Sequence, residues 1–126
     1  MACERSMLRG LWLRRVSFLL CLLVVLYGIL QPVPSRQLFV NSDKIIHVLA
    51  FICLALTARI AVPQGNWIWL VIFCLAPLLE YLQGQLSPLR SYSLEDGYAN
   101  VVGVLIALIF VKLHQKYQSG SVRSKQ

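Results

Sequence analysis

Apolar residues fall into four long blocks along this chain, separated by short polar breaks. The first, Val16–Leu30, holds fifteen residues without a charge, extends back through Leu11-Trp12-Leu13, and stops at Gln31-Pro32-Val33-Pro34. Two prolines so close together end a helix and begin a loop. The second block runs from about Ile45 to Val62, the third from Trp67 to Leu82, and the fourth from Leu94 to Val111. About 20 apolar residues cross a bilayer as a helix. The pattern therefore predicts an all-α chain, a four-helix transmembrane bundle with spans near 11–30, 45–62, 67–82 and 94–111 and a polar basic tail, disordered at its end, over 112–126. Four such spans use about 80 residues, which leaves room for a single membrane domain over 1–126. Asn41 or Ser42 is positioned to cap the second helix, and Ser93-Leu94-Glu95-Asp96 has the form of a capping box at the start of the fourth. Pro77 lies inside the third block, where neighbouring helices must satisfy the interrupted backbone.

Composition agrees with this pattern. Hydrophobic residues make up 58% of the chain and charged ones 13%, with a mean hydropathy of +0.68, against about 25% charged in soluble domains. The net charge of +7 does not point to nucleic acid, because the basic residues flank apolar blocks instead of forming a stripe among aromatics. They set orientation. With a cytoplasmic N-terminus, Arg5, Arg9, Arg14, Arg15, Arg59, Lys112, Lys116, Arg123 and Lys125 lie inside, and Arg36, Lys44 and Arg90 lie outside. The positive-inside rule then places both termini of this multi-pass chain in the cytoplasm. The basic start and apolar middle of residues 1–30 are like a signal peptide, but no small-x-small cleavage site follows, so this block is expected to stay as a first span. Cys3, Cys21, Cys53 and Cys74 form no CxxC, and neither a disulfide framework nor a metal-site spacing is expected.

The acids are distributed the other way: Asp43, Glu80, Glu95 and Asp96 all fall on the predicted outer side, and only Glu4 lies inside. Acids contribute little to topology, so the asymmetry asks for another cause. Asp43 and Asp96 sit in first turns, where the helix dipole favours an anion. Glu80 sits near a helix C-terminus inside an apolar block, where the dipole opposes it and burial is costly. It must be paired, protonated or reach outer water. His47 lies at a matching depth and shares a helix face with Asp43, four residues earlier. Gln83 shares a face with Glu80, and Asn100 with Asp96. That last face continues as a small-residue ladder, Ala99-xxx-Gly103-xxx-Ala107, which permits close helix approach. Arg90 is the strong cation of the intervening loop, placed to pair with Glu80 or Asp96 or to hold an anion. Arg59 is expected to snorkel to the opposite interface.

In order along the chain, Asp43-Lys44-xx-His47, Glu80-xx-Gln83 and Arg90-xx-Ser93-xx-Asp96-xxx-Asn100-xx-Gly103 resemble the VanZ-like family of small bacterial membrane proteins. The resemblance covers about residues 31–110. It implies a four-span inner-membrane protein, a link to glycopeptide (teicoplanin) susceptibility, and Asp43, Lys44, His47, Glu80, Gln83, Arg90, Asp96 and Asn100 as the binding positions. It implies no particular reaction.

The leading functional expectation is an outward-facing polar site for the headgroup of a lipid or cell-wall precursor. Its standing partner is the lipid bilayer, with no nucleic acid and no cofactor, and the oligomeric state is open. One alternative is a membrane-embedded enzyme, with Glu80 or Asp96 as base and His47 as acid, or with a metal on Asp43, His47, Glu80 and Asp96. Another is a purely structural cluster of interhelical hydrogen bonds.

Overall fold

A computed structural model of the chain describes residues 2–31, 40–86 and 92–123. It is all-helical, with α1 Ala2–Leu30, α2 Ser42–Ala61, α3 Trp67–Leu86 and α4 Leu94–Arg123. All four helices are long and apolar enough to cross a membrane. At about 1.5 Å per residue, the 20 residues of α2 and of α3 match the roughly 30 Å hydrocarbon layer.

The helices meet through narrow apolar stripes. Phe51, Leu54, Ala55 and Ala58 form one face of α2; Ile68, Ile72, Ala76 and Leu79 form one face of α3; Val104 and Ala107 belong to α4 and Val25 and Ile29 to α1. The spacings of three and four residues put each set on one side of its helix. α2 is the hub: it packs on α1, α3 and α4, while α1 and α4 do not touch one another among the described residues. Outside these stripes the surface is greasy. Val24 is 70% exposed and Phe110 62%, with Leu23, Leu70 and Ile109 similarly open. A soluble protein of this size would not tolerate so much contiguous apolar surface; a bilayer solvates it.

The small-residue ladder of α4 works as the sequence implies. Ala99, Gly103 and Ala107 are all buried. A Cβ built on Gly103 would lie 2.5 Å from the Val48 carbonyl oxygen and 3.0 Å from Phe51 Cβ. Only a residue without a side chain lets α4 come so near the backbone of α2.

Several boundaries differ from the sequence expectation. α1 begins at Ala2 instead of near residue 11, because the Arg- and Leu-containing segment ahead of the apolar block has good helix formers and no proline. α4 continues to Arg123, so most of the basic tail is helical. Its exposed turns are joined by a stack of Phe110 on His114 and hydrogen bonds from Gln118 to His114 and Ser119 to Gln115. α3 carries Pro77 internally and runs on to Leu86, with Gly84 against the backbone of Tyr92. Asn41 occupies the N-cap position of α2 in the left-handed region (φ 65°), but no side chain caps that end. Asparagine tolerates this conformation better than most residues. Arg59 does more than snorkel: its guanidinium donates to the carbonyls of Val62 and Pro63, closing the C-terminus of α2.

Replacing Gly103 by leucine is expected to destabilise the bundle by about 1–3 kcal/mol through overpacking, whereas Gly10→Leu, whose added side chain would start in open space, should stay within about 0.5 kcal/mol. Unfolding in detergent followed by circular dichroism checks both; equal effects would mean that α2 and α4 are not in close contact.

Candidate functional site

The stripes that build the apolar core turn polar at one end of the bundle. On α2, His47 precedes Phe51 and Leu54 on the same face; on α3, Glu80 and Gln83 follow Ala76 and Leu79; on α4, Asn100 precedes Val104 and Ala107. The helical repeat that buries the apolar members therefore buries these as well. Glu80 is 1% exposed, Asn100 0%, Gln83 3% and His47 8%. Burial of this kind is unfavourable unless each group is hydrogen-bonded.

Asn100 supplies the central connection. Its amide nitrogen donates to the Ala76 carbonyl oxygen at 3.2 Å, beside the turn that Pro77 interrupts. Its amide oxygen lies 2.9 Å from His47 Nδ1. With the Asn100 nitrogen turned to a carbonyl, the oxygen facing His47 is an acceptor, so the network assigns the proton to Nδ1. One asparagine thus ties α4 to α3 and to α2.

Glu80 does not reach for water. Its Oε1 accepts a hydrogen bond from the Ser93 backbone N–H at 3.3 Å, across from α3 to the start of α4. Ser93 Oγ in turn accepts from Asp96 N at 3.2 Å, the first half of the expected capping box. In the complete box the residue at the position of Asp96 returns a bond to the Ser93 N–H. Glu80 takes that donor, and the Asp96 carboxylate faces elsewhere: a ligand atom from each of Asp43, His47 and Asp96 lies within 4.8 Å of the other two. Asp43 and Asp96 are half-buried. At the rim, Lys44 forms an ion pair with Glu95, joining the first turns of α2 and α4.

A cavity of about 630 Å³ adjoins this cluster between α1 and α2. Asp43, His47 and Gln31 line one end, and Leu20, Val24, Val25, Ile29 and Leu49 line much of the rest. From Gln31 to Leu20 on α1 it follows about 16 Å of helix, close to the depth of one leaflet of a roughly 30 Å layer. Its volume is within the range of small-molecule sites.

Of the positions singled out in the sequence, Asp43, His47, Glu80, Gln83, Asp96 and Asn100 converge on this end, and Lys44 flanks it. Arg90 lies outside the described residues. The pairings differ from simple depth matching, since His47 meets Asn100 while Glu80 meets Ser93, and the three-residue ligand group excludes Glu80. Sequence reading missed Glu95 as the partner of Lys44, the Ser93 N–H as the partner of Glu80, and the groove beside Gln31. The four-residue spacing of Asp43 and His47 and the unusual acid inside α3 were the available signals. Comparison with protein-family models, with curated proteins and with solved structures finds no match to this chain.

Proposed function

We propose that this protein binds a lipid, or a lipid-linked precursor of the cell envelope, with its apolar chain in the α1–α2 groove and its headgroup at the Asp43–His47–Asp96 end. The observation that carries this reading is the groove itself, whose wall is apolar along most of its length and acquires a carboxylate and an imidazole at one end. A chain of that shape and polarity is what a bilayer lipid presents. Lys44, Glu80, Gln83, Asn100 and the loop residue Arg90 complete the binding set in this reading. The first two tie the ends of α2 and α3 to α4, and Asn100 and Gln83 supply the buried framework.

The ordered motifs support placing the chain among VanZ-like proteins, and with them an influence on glycopeptide (teicoplanin) susceptibility. The lysine and arginine distribution supports cytoplasmic termini and an outward site, and the resemblance supports a bacterial inner membrane.

Two measurements test this. A phospholipid that survives detergent exchange should be detected by native mass spectrometry on the wild type and on Leu70→Trp, a change on exposed α3 surface away from the groove. Ala50→Trp, on the groove wall, should lose at least about half of it while melting like the parent; indistinguishable retention in both variants would remove the groove from the proposal. For orientation, a fluorescent-protein fusion after Gln126 should glow and an alkaline phosphatase fusion there should be inactive. The reverse pattern would put the site on the cytoplasmic face.

A further inference from the structure

We infer that Asp43, His47 and Asp96 form a site for one divalent transition-metal ion, zinc or manganese in type, oriented by Asn100. Three independent features lead there. First, the donor set is mixed: two carboxylates from the first turns of α2 and α4 and one imidazole, with ligand atoms within 4.8 Å of one another. Imidazole suits zinc-like ions and carboxylate suits manganese, so this combination favours either over calcium or magnesium. Ligand atoms held at about 2.0–2.2 Å from one ion stand no more than about 4.4 Å apart, and a shift of a few tenths of an ångström brings these within that limit.

Second, the imidazole is prepared. Asn100 is held by the Ala76 carbonyl and accepts from His47 Nδ1, which leaves Nε2 as the nitrogen with the lone pair. A hydrogen bond that fixes one nitrogen so that the other can ligate is the usual outer-shell arrangement of a metal-bound histidine. His47 as a whole is 8% exposed.

Third, the three side chains meet where the groove ends. Three protein ligands leave further coordination positions open, as in zinc sites that bind water or substrate. Asp43 and His47 also line the groove, so an open position is available to a phosphate oxygen of a lipid headgroup. This last step rests on the lipid-binding reading above; the ion site does not.

The test uses the full chain in detergent, stripped with EDTA. Zinc uptake is measured by calorimetry and elemental analysis, and manganese by electron paramagnetic resonance. About one ion per chain is expected. The Asp43→Asn and Asp96→Asn variants, near-isosteric changes at half-buried positions, should weaken uptake at least about 100-fold with unchanged melting. Asn100→Leu, a positioning change, should weaken it about 10–100-fold. No stoichiometric ion in the wild type, or equal uptake in the Asp43→Asn/Asp96→Asn double variant, overturns the site. Phosphatidylglycerol retention is then compared with and without EDTA. Metal uptake with chelator-independent lipid retention removes the phosphate bridge and keeps the ion; lipid retention by a chain that takes up no metal removes the ion and keeps the groove.

Discussion

The contact between α2 and α4 at Gly103 is the constraint on which the rest of the site depends. A hydrocarbon interior offers no water to a buried amide or imidazole, so polar groups must find one another across helix interfaces. The bond from His47 to Asn100 spans such an interface at 2.9 Å, and it exists because α4 passes the Val48 carbonyl without a side chain between them. Asn100 then reaches α3 at Ala76. Individual interhelical hydrogen bonds in membranes contribute only about 0.6 kcal/mol on average. Their value here lies in register: a one-residue slip of α4 would turn Asn100 out of the junction and replace it with Ala99 or Val101.

The polar residues divide into two groups with different physical roles. Asn100, Glu80 and Ser93 hold helices together, each with a partner from another element. Asp43 and Asp96 converge with His47. Asp96 is even released from the return half of its capping box, because Glu80 occupies the Ser93 N–H.

Much of this was legible in the sequence, and the reason is periodicity. Four apolar blocks gave four helices, and the Ala99-Gly103-Ala107 ladder marked the close contact. His47, Glu80, Gln83 and Asn100 were identifiable because they continue apolar stripes instead of interrupting them. Pair identities were not legible. Depth along a span orders residues by height, but it does not say which azimuth each helix presents; His47 and Glu80 share a height while their hydrogen bonds go to Asn100 and Ser93. Helix ends failed for a different reason. The segments before Leu11 and after Val111 are polar, so hydropathy ends the span there, while helix propensity and side-chain contacts such as Phe110 with His114 carry the helix on.

The groove follows from the same unequal packing. α1 meets α2 and α3 but not α4 among the described residues, and most of its surface faces outward, with Val25 and Ile29 buried. A helix attached along one edge leaves space beside its neighbour, and in a bilayer the neighbouring phase that fills such space is lipid. What distinguishes this space from an ordinary lipid-facing crevice is where it ends. At the opposite end of the bundle Arg59 is engaged by the carbonyls of Val62 and Pro63, leaving that cation satisfied by the protein's own backbone. At the Gln31 end the groove meets Asp43 and His47, whose carboxylate and imidazole converge with Asp96. A chain drawn into the crevice by its apolar wall would therefore bring its headgroup against a carboxylate and an imidazole at the Gln31 end, and that polarity gives the groove a direction.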